Sequence, residues 1–144
     1  MMNDAYTIQL EEAPAPEDFQ FVFDALTEYN RHYAPDIDYR RLCIFIRDEQ
    51  NKIIGGLLGE TAWGWLHVSI LWLSEGLRRQ GYGSRLLAMA EAEALARGCH
   101  SAHLDTMDFQ ALPFYQKHGY LVYGQLDDFP IGHSRYFMRK KLTS

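Results

Sequence analysis

The sequence predicts a mixed α+β (mixed α/β) fold, and three observations carry that expectation. Between Tyr39 and Leu73 apolar residues follow the period of two expected of strands. From Leu66 to Gly98 an apolar strand, a short connection rich in arginine and glycine, and a long run of helix formers succeed one another. Beyond Gly98, strand-like stretches alternate with one short helical one.

Composition bounds the classes of function. A length of 144 residues suits one domain spanning the chain, and apolar and aromatic fractions of 47% and 14% suit a packed core. A net charge of −5 argues against nucleic acid as the main partner, because phosphate binding needs a basic surface, and is compatible with a cationic amine. No apolar run has the length of a membrane span, and no basic stretch followed by an apolar one opens the sequence, so no membrane partner is expected. Cys43 and Cys99 do not make a disulfide framework, and a reducing cytoplasm is the expected compartment.

In chain order, Tyr6 to Leu10 alternates as a short strand does, and Pro14-Ala-Pro16 breaks it. Pro16-Glu-Asp18 reads as a helix start, and Phe19, Val22, Phe23, Leu26 and Tyr29 make a helical stripe through Tyr33. Leu42 to Ile46, Ile53 to Glu60 and Leu66 to Leu73 form an antiparallel meander, with Gly55-Gly56 marking a bulge or a close backbone approach. Ser84 to Arg97 is the long helix, ended by Gly98. Ser101 to Met107 returns as a strand parallel to the one before the helix, because a crossover separates them. Phe109 to His118 is a short helix ended by Gly119, and Tyr120 to Gln125 and His133 to Leu142 close the sheet.

The connection before the long helix carries the strongest functional signal. Gly81 and Gly83 are expected to take φ > 0 and converge backbone N–H groups, and the helix start adds its own unpaired amides and dipole. Such a strand–loop–helix is an anion site suited to a pyrophosphate. There is no Gly-x-x-x-x-Gly-Lys-Ser/Thr, so a P-loop triphosphate site is disfavoured. A dinucleotide site would want a glycine where Leu86 stands, although Asp105 follows at a suitable distance for a ribose contact.

Arg78-Arg79-Gln80-Gly81-Tyr82-Gly83 instead fits Arg/Gln-x-x-Gly-x-Gly/Ala, and Phe114-Tyr-Gln-Lys-His-Gly-Tyr120 fits Phe-Tyr-x-x-x-Gly-Phe/Tyr. With these two segments and the order of elements, the chain resembles the GNAT superfamily of acetyl-CoA-dependent N-acetyltransferases. The resemblance implies acetyl-CoA as cosubstrate and a pyrophosphate held by Arg78, Arg79, Gln80, Gly81, Tyr82, Gly83 and Ser84. It also implies that Leu71, Trp72 and Leu73 line the pantetheine arm, with a backbone N–H as oxyanion donor and a splay between that strand and its parallel neighbour. Tyr115 stands where the family has a tyrosine bonded to the cofactor sulfur, acting as acid toward the departing thiolate. A second helix near the front of the family pattern has no signal beyond Ile37 to Arg41.

An attacking amine must lose a proton, and His67 and Glu60 are the candidate bases; Ser69 shares the strand face of His67, Glu28 lies on the first helix, and a water chain to any of these could do the work. The helix from Phe19, the strand face bearing His67 and the loop from Asp127 to His133 are expected to shape the acceptor pocket. Cys43 is expected to be inert in its strand, and Cys99-His100 lacks the placement a thiol–imidazole pair needs. His100 and His103 should point to opposite faces, so no metal site is expected. The expected reaction is direct acetyl transfer to a primary amine, a small molecule in preference to a protein, in a ternary complex. The alternatives are a non-catalytic acyl-CoA-binding module and a dinucleotide-binding domain. A homodimer is compatible with this size, and no residue pattern fixes one.

Overall fold

The computed structural model describes residues 5–143, which divide into two units, one ending at Ile37 and one beginning at Asp38. In the first unit α1 (Pro16–Asn30) starts with Pro16 at its first helical position and Glu17 and Asp18 in its first turn. The Thr27 hydroxyl bonds back to the Phe23 carbonyl at 3.0 Å, and Arg31 pairs with Glu28 at 2.8 Å. Tyr6 to Leu10, expected as a strand, has no regular structure. A strand exists through its ladder, and all six strands of the sheet lie beyond Ile37.

The second unit is built on one sheet. Its strands are β1 (Arg40–Arg47), β2 (Ile53–Ala62), β3 (Trp65–Leu73), β4 (Ser101–Met107), β5 (Leu121–Asp127) and β6 (Ser134–Lys141), in the spatial order β1-β2-β3-β4-β6-β5. Between β3 and β4 come a 3₁₀ turn (Glu75–Leu77) and α2 (Tyr82–Ala96); between β4 and β5 lies α3 (Leu112–Lys117). The first three strands form the expected antiparallel meander, and β3 and β4 are the parallel pair. Ile37 to Arg41 holds no helix, because Arg40 and Arg41 already belong to β1. The short helix is also narrower than the expected 109–118, since Gln110 folds back to accept the Met107 N–H at 2.8 Å.

One face of the sheet holds the core. Leu42, Leu57, Leu66, Val68, Ala102, Leu104 and Met138 pack with Leu86, Leu87, Ala90 and Ala94 of α2. Ala90 follows Leu86 and Leu87 by four and three residues and Ala94 follows Ala90 by four, which puts all of them on one helix face, and Gly98, at φ +85°, ends the element. Truncating a fully buried member such as Leu57 to alanine would cost about 2–5 kcal/mol.

The register contains one irregularity that shapes the site. Leu58 pairs with Ile70 and Gly59 with Val68, so Ser69 is an extra residue bulging from β3. Gly59 permits this: a Cβ there would lie 2.3 Å from the His67 carbonyl oxygen. At Gly55-Gly56 both expectations have a counterpart: Ile46 pairs with Gly55 and Arg47 with Ile53, so Ile54 bulges beside Gly55 on the β1 side, and a Cβ on Gly56 would lie 3.0 Å from the Ile44 carbonyl. The β3–β4 ladder covers only Trp65 to Val68 against Ser101 to Leu104 and stops at the bulge. Beyond Val68 the two strands part.

Candidate active site

The parting of β3 and β4 opens a cavity of about 1120 Å³. Its walls are Val68 to Leu73 of β3, Asp105 and Thr106 of β4, the turn from Phe109 through α3, and Arg78, Arg79 and Gly83 of the loop. From Ser69 onward β3 has ladder partners on β2 alone, which leaves main-chain groups on its other edge facing the cavity. Leu71, Trp72, Leu73, Arg78, Arg79, Gly83 and Tyr115 all line it. Gln80, Gly81, Tyr82 and Ser84 of the same loop are not among the lining residues, and neither are Glu60 and His67, which lie next to Ser69.

The loop owes its shape to two left-handed residues, Arg79 at φ +63° and Gly81 at φ +86°, which caps α2. Gly83, expected to share that conformation, lies inside the first helical turn without it, because α2 begins two residues earlier than its sequence suggests. A Cβ there would make ordinary contact only, 3.4 Å from the Phe114 ring. The first α-helical bond runs from Arg85 N–H to Gly81 C=O, 3.1 Å, so the amides of Tyr82, Gly83 and Ser84 precede it. Three side chains pin the turn. Arg78 Nε donates to the Leu73 carbonyl at 3.2 Å, Gln80 Nε2 to the Gly76 carbonyl at 2.7 Å, and Ser84 Oγ meets His118 Nε2 at 2.8 Å.

Tyr115 enters from α3, whose approach is set by Thr106 Oγ1 accepting the Ala111 N–H at 3.2 Å. Burial, and then the Asp105 carboxylate, push its hydroxyl up to about 12. No hydrogen bond ties that hydroxyl to another described residue. The second tyrosine of the motif, Tyr120, is structural: fully buried, it donates to Glu91 at 2.8 Å while Lys140 bonds the other Glu91 oxygen at 2.8 Å.

On the sheet face away from the core, His67 Nδ1 lies 2.6 Å from Glu60 Oε1. A carboxylate at that nitrogen fixes it as the N–H, which leaves Nε2 with a free lone pair. Ser69 Oγ sits 3.4 Å from both His67 Nδ1 and Glu60 Oε2, linking this pair to the cavity that Ser69 lines. The two candidate bases are thus one unit. His103 faces His67 across the ladder.

One other expectation changes. His100 and His103 both lie edge-on to Trp65, at 5.6 and 5.7 Å, because His100 precedes β4 and escapes its alternation. Cys43 is exposed on edge strand β1, whereas Cys99 is buried, and burial raises its thiol above the usual range. Asp105 is held by Arg135 Nε at 2.9 Å. With one parallel pair in six strands, the sheet is not the doubly wound type on which dinucleotides bind. Among the described residues no group of three His, Cys, Asp or Glu is arranged to hold a metal. No helix among them is long and apolar enough to cross a membrane.

Residues 2–120 match the family described as the acetyltransferase (GNAT) family. An acetyltransferase of Agrobacterium fabrum is 42% identical over 118 residues, 82% of this chain and 86% of the relative. A blasticidin-S acetyltransferase of Streptomyces morookaense is 43% identical over 95 residues, 65% of this chain and 70% of the relative. A crystal structure of an acetyltransferase from Bacillus cereus superposes with a TM-score of 0.80 at 34% identity, covering 92% of this chain and 97% of the other. The chain therefore belongs to the GNAT family and is an acetyl-CoA-dependent N-acetyltransferase.

Proposed function

We propose that this enzyme moves the acetyl group of acetyl-CoA directly to the primary amine of a small molecule, both substrates being bound at once, in a single transferase domain. The observation that carries this reading is the common cavity at the β3–β4 parting, which the glycine loop, the free strand edge and Tyr115 share. The relative named for blasticidin S supports a small-molecule acceptor.

In this reading the amides of Tyr82, Gly83 and Ser84, with Arg78 and Arg79, take the diphosphate of the cosubstrate, while Gln80 and Gly81 hold the turn. The β3 edge at Leu71, Trp72 and Leu73 takes the pantetheine arm and offers an N–H to the thioester oxygen as it gains charge. His67, oriented by Glu60, removes a proton from the acceptor ammonium, an alkylammonium being mostly protonated at neutral pH. The amine nitrogen forms its bond to the carbonyl carbon, the C–S bond breaks, and the sulfur leaves as thiolate. Tyr115, held near 12, is too weak an acid to surrender its proton outright to a thiolate of ordinary pKa ~8.5. It donates a hydrogen bond to the sulfur instead, and the second proton shed by nitrogen neutralises the thiolate.

Incubation with acetyl-CoA and a library of primary amines, read by mass spectrometry, tests this directly. One or more amines should gain 42 mass units, the weight of an acetyl group replacing hydrogen, alongside stoichiometric thiol release. Cosubstrate binding with no amine acetylated would point to the acyl-CoA-binding module.

A further inference from the structure

The site so far leaves unused the histidine in contact with its base. His103 is the ladder partner of His67, and their rings lie face to face, 4.6 Å between centroids and 20° between planes. The register extends the relation across the sheet. Glu60 partners His67, His67 partners His103, and His103 partners Arg139, so four ionisable residues on β2, β3, β4 and β6 form one row on one face. Trp65 stands edge-on to the His103 ring at 5.7 Å.

We propose that His103 is a positioning residue for acetyl transfer, its ring face holding the His67 imidazole in plane and supporting the proton His67 takes from the acceptor. This rests on the reading of His67 as base. Two stacked imidazoles cannot both carry charge cheaply, and the carboxylate of Glu60, 2.6 Å from His67, decides which one does. A neutral ring beneath a cationic one attracts it, as an aromatic face attracts any cation. Every group facing His103 fits this division. His67 and Trp65 belong to β3, Glu60 to β2, Asp105 to β4 itself, and Arg139 and the Asp105-bound Arg135 to β6. Burial first, and then His67, push the His103 ring below the ordinary histidine value; Glu60 and Asp105 pull weakly the other way. The proton ledger closes without a further reactant: the acceptor nitrogen gives one proton to His67 Nε2 before attack and a second after it, as the thiolate departs.

The test pairs His103→Phe, which keeps a ring face without a titrating nitrogen, with His103→Ala, which keeps neither, using His67→Phe as reference. His103→Ala should lower kcat roughly 3- to 30-fold, the range of one partly buried cation–π contact, with the acetyl-CoA KM unchanged. His103→Phe should restore most of that loss. In an NMR titration of the wild-type imidazoles, His103 should take its proton at lower pH than it does in His67→Phe, where the facing charge is gone. Wild-type kcat in His103→Ala at every pH, or the same His103 titration with and without the His67 ring, would overturn the inference alone. Full activity of His67→Phe would overturn the base assignment and this inference together.

Discussion

Replacing Gly59 by alanine tests the origin of the cavity between β3 and β4. A Cβ at Gly59 would lie 2.3 Å from the His67 carbonyl oxygen, 3.3 Å from its carbon and 3.4 Å from Val68 Cα. That is about 1 Å short of ordinary contact, and the obstacle is backbone, which cannot swing aside as a side chain can. Relief requires β2 and β3 to separate at the very residues where Ser69 bulges. Overpacking of this kind costs about 1–3 kcal/mol, and at roughly 2–4 °C per kcal/mol for a chain of this size the melting temperature should fall by about 2–12 °C. Gly124→Ala is the control, since its Cβ would meet only the Phe137 side chain at 3.8 Å. Thermal unfolding followed by circular dichroism reads stability, and thiol release reads turnover, which should fall as His67 and the cavity edge move. If Gly59→Ala melts with the control and keeps full kcat, the bulge does not depend on this glycine and the reasoning fails.

Gly81→Ala meets open space but forces an L residue to φ +86°, costing about 1–2 kcal/mol and weakening acetyl-CoA binding, whereas Gly83→Ala should fold well and weaken binding through the cavity wall; calorimetry beside melting curves separates the two. Tyr115→Phe should lower kcat by roughly 10- to 150-fold, the worth of a hydrogen bond to a charged group, with little change in the acetyl-CoA KM. Because that hydroxyl sits near 12, the wild-type pH–rate profile should show no loss from its ionisation between pH 6 and about 10. Stability carries its own pH signature. The His103 ring resists protonation when folded, so the unfolded chain binds more protons and folding weakens as pH falls below the ordinary histidine value of ~6.5. His103→Phe should therefore lose less melting temperature than wild type between pH 7.5 and pH 5.5.

How much was legible follows from the range of each interaction. The long helix and the six strands of the sheet could be read because apolar period, glycine stops and turn residues are local properties. The same holds for the loop, whose Gly81 conformation is written in a single residue type. Gly83 misled because its sequence spacing from Gly81 says nothing of where the first helical turn begins. Tyr6 to Leu10 misled because alternation signals a strand only if a neighbour offers a ladder. Gly59 was invisible as a determinant: what forbids a side chain there is a carbonyl on another strand. The pairing of Glu60 with His67 was likewise hidden, as both were weighed singly, and only the register places them 2.6 Å apart. His103 was weighed only with His100 as a metal pair, since sequence spacing cannot reveal a stack across a parallel ladder.

The central claim is that the amides ahead of Arg85 and the β3 edge together hold acetyl-CoA. Isothermal titration of the wild-type protein with acetyl-CoA, with NAD as comparison, tests it most directly. The account predicts one site per chain, competition by free coenzyme A, no heat with NAD and weakened binding in Gly81→Ala. Absence of acetyl-CoA binding at millimolar concentration, or unaltered binding in that variant, would contradict it.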